Sequence, residues 1–303
     1  MRILIVCSYN KGRISPFVRE QVESLKKKDV KIDYFKIRGK GIIGYLKNLP
    51  TLIRKAKLKE YDLIHAHYGL AGLLSILQPY LPVVVTYHGS DIHGKFNRVL
   101  SKITATFTKH NILTNTKQIK QLNLKSKYSV IPCGIDTKIF VPLDKKECRN
   151  KLGFEIGDKL VLFSSSFSRK VKNYPLAKES ISKLESVKLL ELKGKSREEV
   201  VLLLNAVDLV LITSFKETGP LIVKEALACN TPVVSTDVGD VKELVDGIET
   251  CFITKYDSKE ISEKVKYIIS DTKKVNHCRS RELVLNYDLK IIADQIYNLY
   301  KSI

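Results

Sequence analysis

The stretch that decides the fold runs from Asp208 to Glu243, D-L-V-L-I-T-S-F-K-E-T-G-P-L-I-V-K-E-A-L-A-C-N-T-P-V-V-S-T-D-V-G-D-V-K-E. Residues 209–213 form an unbroken apolar run, as a parallel strand covered on both faces requires. A short polar loop follows over 214–219, and Pro220 stands where the first helical residue is expected. Leu221, Val223, Ala226 and Leu227 suit a helix packed on a sheet, which Asn230 and Pro232 end. Residues 233–235 read as the next strand, with 236–240 as its outgoing loop.

This order of strand, loop and helix has chemical consequences. The loop aims backbone N–H groups and the positive end of a helix dipole, about half a charge, at whatever sits there. A diphosphate suits such a site. Glu217 lies in the loop and Glu225 on the helix. Two carboxylates beside an anion site make sense when the ligand also carries hydroxyls, since a carboxylate accepts two hydrogen bonds from a vicinal diol. The spacing alone says little: among 17 Glu the same interval recurs at 147/155 and 191/199, without the loop and helix.

The 303 residues are enough for two domains of roughly 150 each. No apolar run reaches the ~18 residues of a membrane span. A strand-like run over 3–7 begins just after Met1 and Arg2, which predicts no secretory leader. Six cysteines at 7, 133, 148, 229, 251 and 278 show no paired spacing. Scattered reduced thiols fit a cytoplasmic protein, and no metal site is expected. The net charge of +20 is lopsided: residues 1–150 hold 28 Lys and Arg against 10 Asp and Glu, a net +18, while the rest carries +2. Either the surface is merely lysine-rich, or the first half meets an anionic partner such as a membrane leaflet. No nucleic-acid-binding module or cluster of stacking aromatics is recognisable, so nucleic acid is not an expected partner.

In the first half, strands are expected at 1–9, 31–37, 62–66, 82–87, 112–115 and 128–132. The turn at 10–13 contains Gly12, Ser15 is a candidate N-cap and Pro16 an early helical residue. Residues 45–60 can be written as one basic amphipathic helix, with Leu46, Leu49, Leu52, Ile53 and Ala56 on one side. Such a helix either lies at a membrane interface or packs on the sheet with a solvated charged face. His65 and His67 are better read as core or loop histidines than as ligands, since no third ligand is near. His88 sits at the carboxyl end of a strand, where open α/β sheets bind ligands. Asp91 is expected to cap the next helix, or else to touch substrate. Residues 141–157 read as a linker. In the second half strands are expected at 159–163 and 187–192 besides those already placed. Ser196 is expected to cap a helix over 196–205, and further helices are expected at 259–271, 276–285 and 288–300. Strands alternating with helices through both halves predict an α/β chain of two doubly wound parallel sheets.

The string 208–243 resembles the donor-site signature of retaining glycosyltransferases of family four, and the likeness continues through V-T-Y-H-G-S-D (85–91) and V-I-P-C-G-I-D-T-K-I-F (130–140). That resemblance implies the GT-B fold, two Rossmann-like domains facing a cleft. Residues 1–141 would form the acceptor side, 142–286 the donor domain, and a last helix at about 287–303 would pack back on the first domain. It implies transfer of a hexose-type sugar from a UDP or GDP donor to a hydroxyl acceptor, with retention. The acceptor would be a glycan or a polyprenyl-diphosphate-linked glycan in surface polysaccharide synthesis, and the enzyme peripheral at the inner membrane face. Glu225 would hold the ribose diol and Glu217 the sugar hydroxyls. In the segment Thr218, Gly219, Pro220 and Leu221, the backbone N–H groups, which Pro220 lacks, would face sugar and phosphates. Lys172, beside Asn173, would neutralise the diphosphate. The family's usual arginine falls near Phe167 here, which leaves Arg169 as its substitute. Gly12 would let the backbone approach the donor phosphate, although a turn glycine needs no ligand. His88 would line the reaction centre. Lysine and helix dipole handle the charge, so no cofactor and no metal are required. A nucleotide-sugar epimerase of the same fold would share the phosphate and ribose grip.

Overall fold

A computed structural model describes residues 1–10, 12–58, 60–270 and 280–303. Lys11, Lys59 and Cys278, and the parts of the expected helices at 271 and 276–279, lie outside them. The chain divides into two units, Met1–Gly134 with Leu289–Ile303, and Ile135–Asp288.

In the first unit the described strands are β1 (Arg2–Ser8), β2 (Lys31–Ile37), β3 (Leu63–His67), β4 (Val83–Tyr87), β5 (His110–Leu113) and β6 (Tyr128–Val130), all parallel, in the order β2-β1-β3-β4-β5-β6. In the second they are β7 (Lys159–Phe163), β8 (Val187–Glu191), β9 (Leu209–Ile212), β10 (Val233–Thr236) and β11 (Phe252–Thr254), ordered β11-β10-β9-β7-β8. Alternate side chains of one strand feed two cores. Leu4 and Val6 go to one face, Ile3, Ile5 and Cys7 to the other; Val210 and Ile212 are likewise opposed to Leu209 and Leu211. Burial on both faces is why the strands read as continuous apolar runs.

The structure corrects several expectations. The helix expected over 45–60 is two, Gly41–Leu46 and Leu49–Lys57, with Pro50 in the first turn of the second. Proline has no N–H to continue the earlier helix, and the Asn48 amide at the junction donates to the carbonyls of Gly44 and Tyr45. Leu52 and Ala56 are buried in the core, while Leu46, expected on the same side, is exposed. The expected linker contains a helix, Lys145–Leu152, capped by the Asp144 carboxylate, which accepts from Glu147 N–H at 2.8 Å. It lacks an apolar stripe. What it buries is Cys148 and Arg149, whose guanidinium donates to Ala206 O at 2.8 Å and lies 3.3 Å from Asp208. The chain passes into the second unit at Gly134/Ile135 rather than after Val141, because Ile135 and Phe140 are fully buried in that unit's core. It returns at Asp288/Leu289. The last helix, Leu289–Lys301, belongs to the first unit, where Ile292, Ile296 and Tyr300 share a core with Val18, Val22 and Leu25.

Helices at Tyr174–Ser182 and Val241–Val245, and strand β11, were not expected from the sequence, and the helix expected at Asp91 is two, Ser90–His93 and Lys95–Phe107. Ser196 does cap Arg197–Ala206, in a reciprocal capping box with Glu199. Pro220 lies one residue outside its helix, which is Leu221–Ala228.

Candidate functional site

Parallel sheets of this kind bind ligands beyond the carboxyl ends of their strands, where the strand order reverses. In the second unit the chain runs from β7 to β8 and then to β9 on the other side of β7, so the reversal lies between β7 and β9. The segment after β7 and the segment after β9 are the two that carry Lys172 and Glu217.

After β7 the chain turns through buried Ser164 and Ser165 and enters a 3-10 turn, Lys170–Lys172, that carries Lys172 inward until it is 8% exposed. Asn173, at φ 54, reverses the chain into the next helix. Thr213 Oγ1, just past β9, donates to the carbonyls of Lys172 at 3.1 Å and Asn173 at 2.9 Å, tying the two loops together. Lys172 Nζ pairs with the Glu217 carboxylate, which also accepts from Ser214 Oγ at 2.8 Å. Phe167 is no phosphate ligand: its ring stacks on Tyr174 with centroids 4.0 Å apart. Arg169 is exposed, and its guanidinium lies 3.4 Å from Ser165 Oγ.

The segment Thr218–Leu221 is braced by the outgoing loop of β10. Gly239 has φ +60, and a Cβ there would lie 2.6 Å from Thr218 O; one on Gly219 would lie 3.0 Å from the Asp240 carboxylate. These two close approaches explain the V-G-D at 238–240 and why Gly219 precedes Pro220.

Glu225 is 3% exposed, and Arg197 Nη1 donates to it at 2.8 Å. Burial pushes the carboxyl pKa up, and Arg197 pulls it back. The guanidinium also lies over the Phe140 ring at 4.6 Å. Arg197 escaped the reading of the sequence. The available signal is its position: a cation in the first turn of a helix opposes the helix dipole, so some other interaction must hold it there.

Gly12 and His88 belong to the first unit. The sheet order there reverses between β1 and β3. Gly12, at φ +68 with no atom within 4 Å of a built Cβ, is required by its backbone conformation rather than by crowding. His88 is half-buried against Phe17, Tyr68 and His67, with ring centroids 4.8, 4.7 and 5.3 Å away. His67 Nδ1 and His88 Nε2 are 3.0 Å apart. Behind them His65 stacks on His67 and bonds to Tyr300 and Thr86. Burial lowers all three histidine pKa values, that of His67 to about 3, so the stack is neutral at pH 7. His65 and His67 are thus core side chains of β3. Among the described residues no group of three or more His, Cys, Asp or Glu is placed to hold a metal ion.

Asp91 does not cap its own helix; Gly89 is that N-cap. Its carboxylate instead accepts from Gly69 N–H at 2.9 Å, Gly89 N–H at 2.8 Å and His88 N–H at 3.2 Å. It thereby fixes the loop that carries His88 and satisfies the start of the helix Gly69–Ile76. Above it opens a cavity of about 490 Å³, lined by Asn10, Arg13, Tyr45, Tyr68, Asp91 and Asn97 among others. Its size suits a small-molecule substrate.

Comparison with known proteins bears on the family and the fold. Residues 15–139 match the profile Glycosyltransferase Family 4, and residues 186–282 match Glycosyl transferases group 1. A D-inositol 3-phosphate glycosyltransferase of Mycobacterium marinum is 24% identical over 249 residues, 65% of this chain; the match spans only 53% of that relative's length. Among solved structures, sucrose-phosphate synthase from Thermosynechococcus elongatus superposes with a TM-score of 0.85 at 17% identity, over 100% of this chain and 98% of that one. Anabaena Alr3699/HepE in complex with UDP-glucose gives 0.80 at 19% identity, covering 100% of both chains. At these identities the likeness is one of fold: two Rossmann-like units, the GT-B fold that the resemblance implied.

Proposed function

Because this chain belongs to the family four, group 1 glycosyltransferases, we propose that it moves a hexose-type sugar from a UDP or GDP donor to a hydroxyl of a glycan or lipid-linked glycan, retaining the anomeric configuration. The observation that carries this reading is the Lys172–Glu217 pair at the strand-order reversal, beside a glycine–proline loop that opens a helix. Support for a nucleotide-sugar donor comes from the related fold that binds UDP-glucose.

In this reading Lys172 meets the negative charge that grows on the departing diphosphate, the term on which catalysis of such a transfer depends most. Its pairing with Glu217 holds it in place before the donor arrives, so little reorganisation is needed. Glu217 accepts sugar hydroxyls, and the N–H groups from Thr218 to Leu221 face sugar and phosphate. Glu225, oriented by Arg197, accepts the ribose diol. Gly12 admits the phosphates, and His88, as a neutral imidazole, lines the reacting carbon. Its second nitrogen is occupied by Cys133 Sγ at 3.7 Å, which leaves its ring a packing and hydrogen-bonding surface rather than a base. Deprotonation of the acceptor then falls to the leaving phosphate itself. Charge is handled by Lys172, Arg169 and the helix terminus, without a divalent cation.

Glu225→Ala and Lys172→Ala test this. Lys172→Ala is expected to lower turnover of a nucleotide sugar by at least about a hundredfold, as loss of one charge-stabilising donor does elsewhere, and Glu225→Ala, which removes the acceptor of the ribose diol, to raise KM for the donor. Wild-type kinetics in both would overturn the donor-site assignment. A thermal-shift screen of UDP-, GDP- and ADP-sugars identifies the donor, because a tight ligand raises the melting temperature by mass action.

A further inference from the structure

The helix Lys95–Phe107 is inside out. Its buried residues are Ser101, Thr104 and Ala105. Thr104 Oγ1 lies 3.1 Å from Gly69 O, and a Cβ on Gly72 would meet Thr104 at 2.6 Å, so the helix docks closely through its small, polar side. The apolar side faces out. Phe96 is 65% exposed, Val99 56%, Ile103 43% and Phe107 71%. At about 100° per residue these four fall within an arc of about 80°, one continuous ridge along the helix. Lys95, Arg98 and Lys102 run along one flank of it. Single exposed apolar side chains need no explanation, but a ridge of four does.

The charge around the ridge says what covers it. From Ile92 to Ile135 there is no Asp or Glu, against eight Lys and Arg. A second copy of the chain would bring the same positive field against itself. An anionic surface is drawn to it, and an apolar ridge with a basic flank is the pattern of helices lying at a lipid interface. Val99 and Ile103 offer nothing for nucleotide bases to stack on. We propose that this helix seats the protein on an anionic lipid bilayer, with Phe96, Val99, Ile103 and Phe107 entering the headgroup boundary and Lys95, Arg98 and Lys102 meeting the lipid charge. Asn97 and Leu100 of the same helix line the cavity above Asp91, as does Tyr45, whose helix exposes Ile43 by 75% between Lys40 and Lys47. Seating the helix therefore brings that cavity to the lipid surface. Its use for a lipid-borne acceptor rests on the transferase reading; the docking itself does not.

The test is co-sedimentation of the full chain with phosphatidylcholine vesicles, with and without phosphatidylglycerol. Wild type is expected to bind only the anionic vesicles, less at high salt. Lys95→Ser/Lys102→Ser should weaken binding roughly thirtyfold, a factor of about five for each basic residue. Phe96→Ser/Phe107→Ser should weaken it at least about tenfold, with unchanged thermal melting because both side chains are exposed. Wild type that ignores anionic vesicles, or phenylalanine variants that bind like wild type, would overturn the proposal. So would a dimer in sedimentation, or tight oligonucleotide binding, that the phenylalanine changes abolish. No turnover is involved, so failure here leaves the donor site untouched, and an inactive enzyme that still binds vesicles leaves the docking surface standing.

Discussion

Arg197→Ala isolates the role of Arg197 from that of the carboxylate it orients. In the wild type the 2.8 Å contact gives a 4% exposed Glu225 side chain its counter-ion. Removing one partner of a buried pair costs about 3–5 kcal/mol when the other stays charged. The Arg197 side chain is 26% exposed, so water entering the vacated space returns part of this, which leaves about 2–3 kcal/mol at pH 8. Protonation sets a ceiling that moves with pH. A lone carboxyl never costs more than taking up a proton, about 1.4 kcal/mol per pH unit above ~4.3. The ceiling is about 5 kcal/mol at pH 8 and about 1 kcal/mol at pH 5. Burial already raises the Glu225 pKa, and loss of Arg197 raises it further. A carboxyl whose folded pKa lies above its unfolded value contributes most to stability below the unfolded value, and loses that contribution as pH rises through the folded one. The penalty of Arg197→Ala must therefore grow from pH 5 to pH 8. For a unit of about 150 residues, about 2–4 °C accompanies each kcal/mol. The expected loss in the second unit's transition is about 5–10 °C at pH 8 and below about 4 °C at pH 5, read by calorimetry. Adding Glu225→Gln should restore about half of the loss at pH 8. An equal loss at both pH values, or no rescue by the glutamine, would refute the reasoning.

Two further changes probe the loops. Gly239→Ala puts a Cβ at φ +60 and 2.6 Å from Thr218 O; it should cost about 1–3 kcal/mol in urea denaturation and raise KM for the donor, and wild-type stability would show that the β10 loop does not brace the Glu217 segment. Burial raises the Asp91 pKa to about 6 against the pull of backbone N–H groups from Gly69, Gly89 and His88. Its contribution is greatest below pH ~4 and falls as pH rises to about 6. In Asp91→Asn that slope should vanish from urea midpoints measured between these limits. The amide should cost about 1–3 kcal/mol at pH 8, where its NH2 group faces the same donors.

Much of the chain was legible because its signals are local. Burial on both faces makes β7 and β9 read as continuous apolar strands, and the T-G-P-L turn with its following helix needs only near neighbours. The helix Lys145–Leu152 was not legible, since its sequence K-K-E-C-R-N-K-L has no apolar stripe. It is held by Arg149 reaching Asp208, 59 residues away in the chain. Asp91 misled for a similar reason: capping chemistry identifies a residue that accepts N–H bonds, but the carboxylate serves Gly69 across the fold.

The sequence by itself determined the alternation of strand and helix, the loops that end in helix N-termini, and the family, because periodicity and turn chemistry act over a few residues. Only the tertiary structure decided which charges meet. Glu217 finds Lys172 because β9 lies beside β7, and Glu225 finds Arg197 across 28 residues, outcomes set by strand order. It also decided which side of Lys95–Phe107 is covered. Periodicity defines the faces of a helix, but only packing chooses the one that water sees.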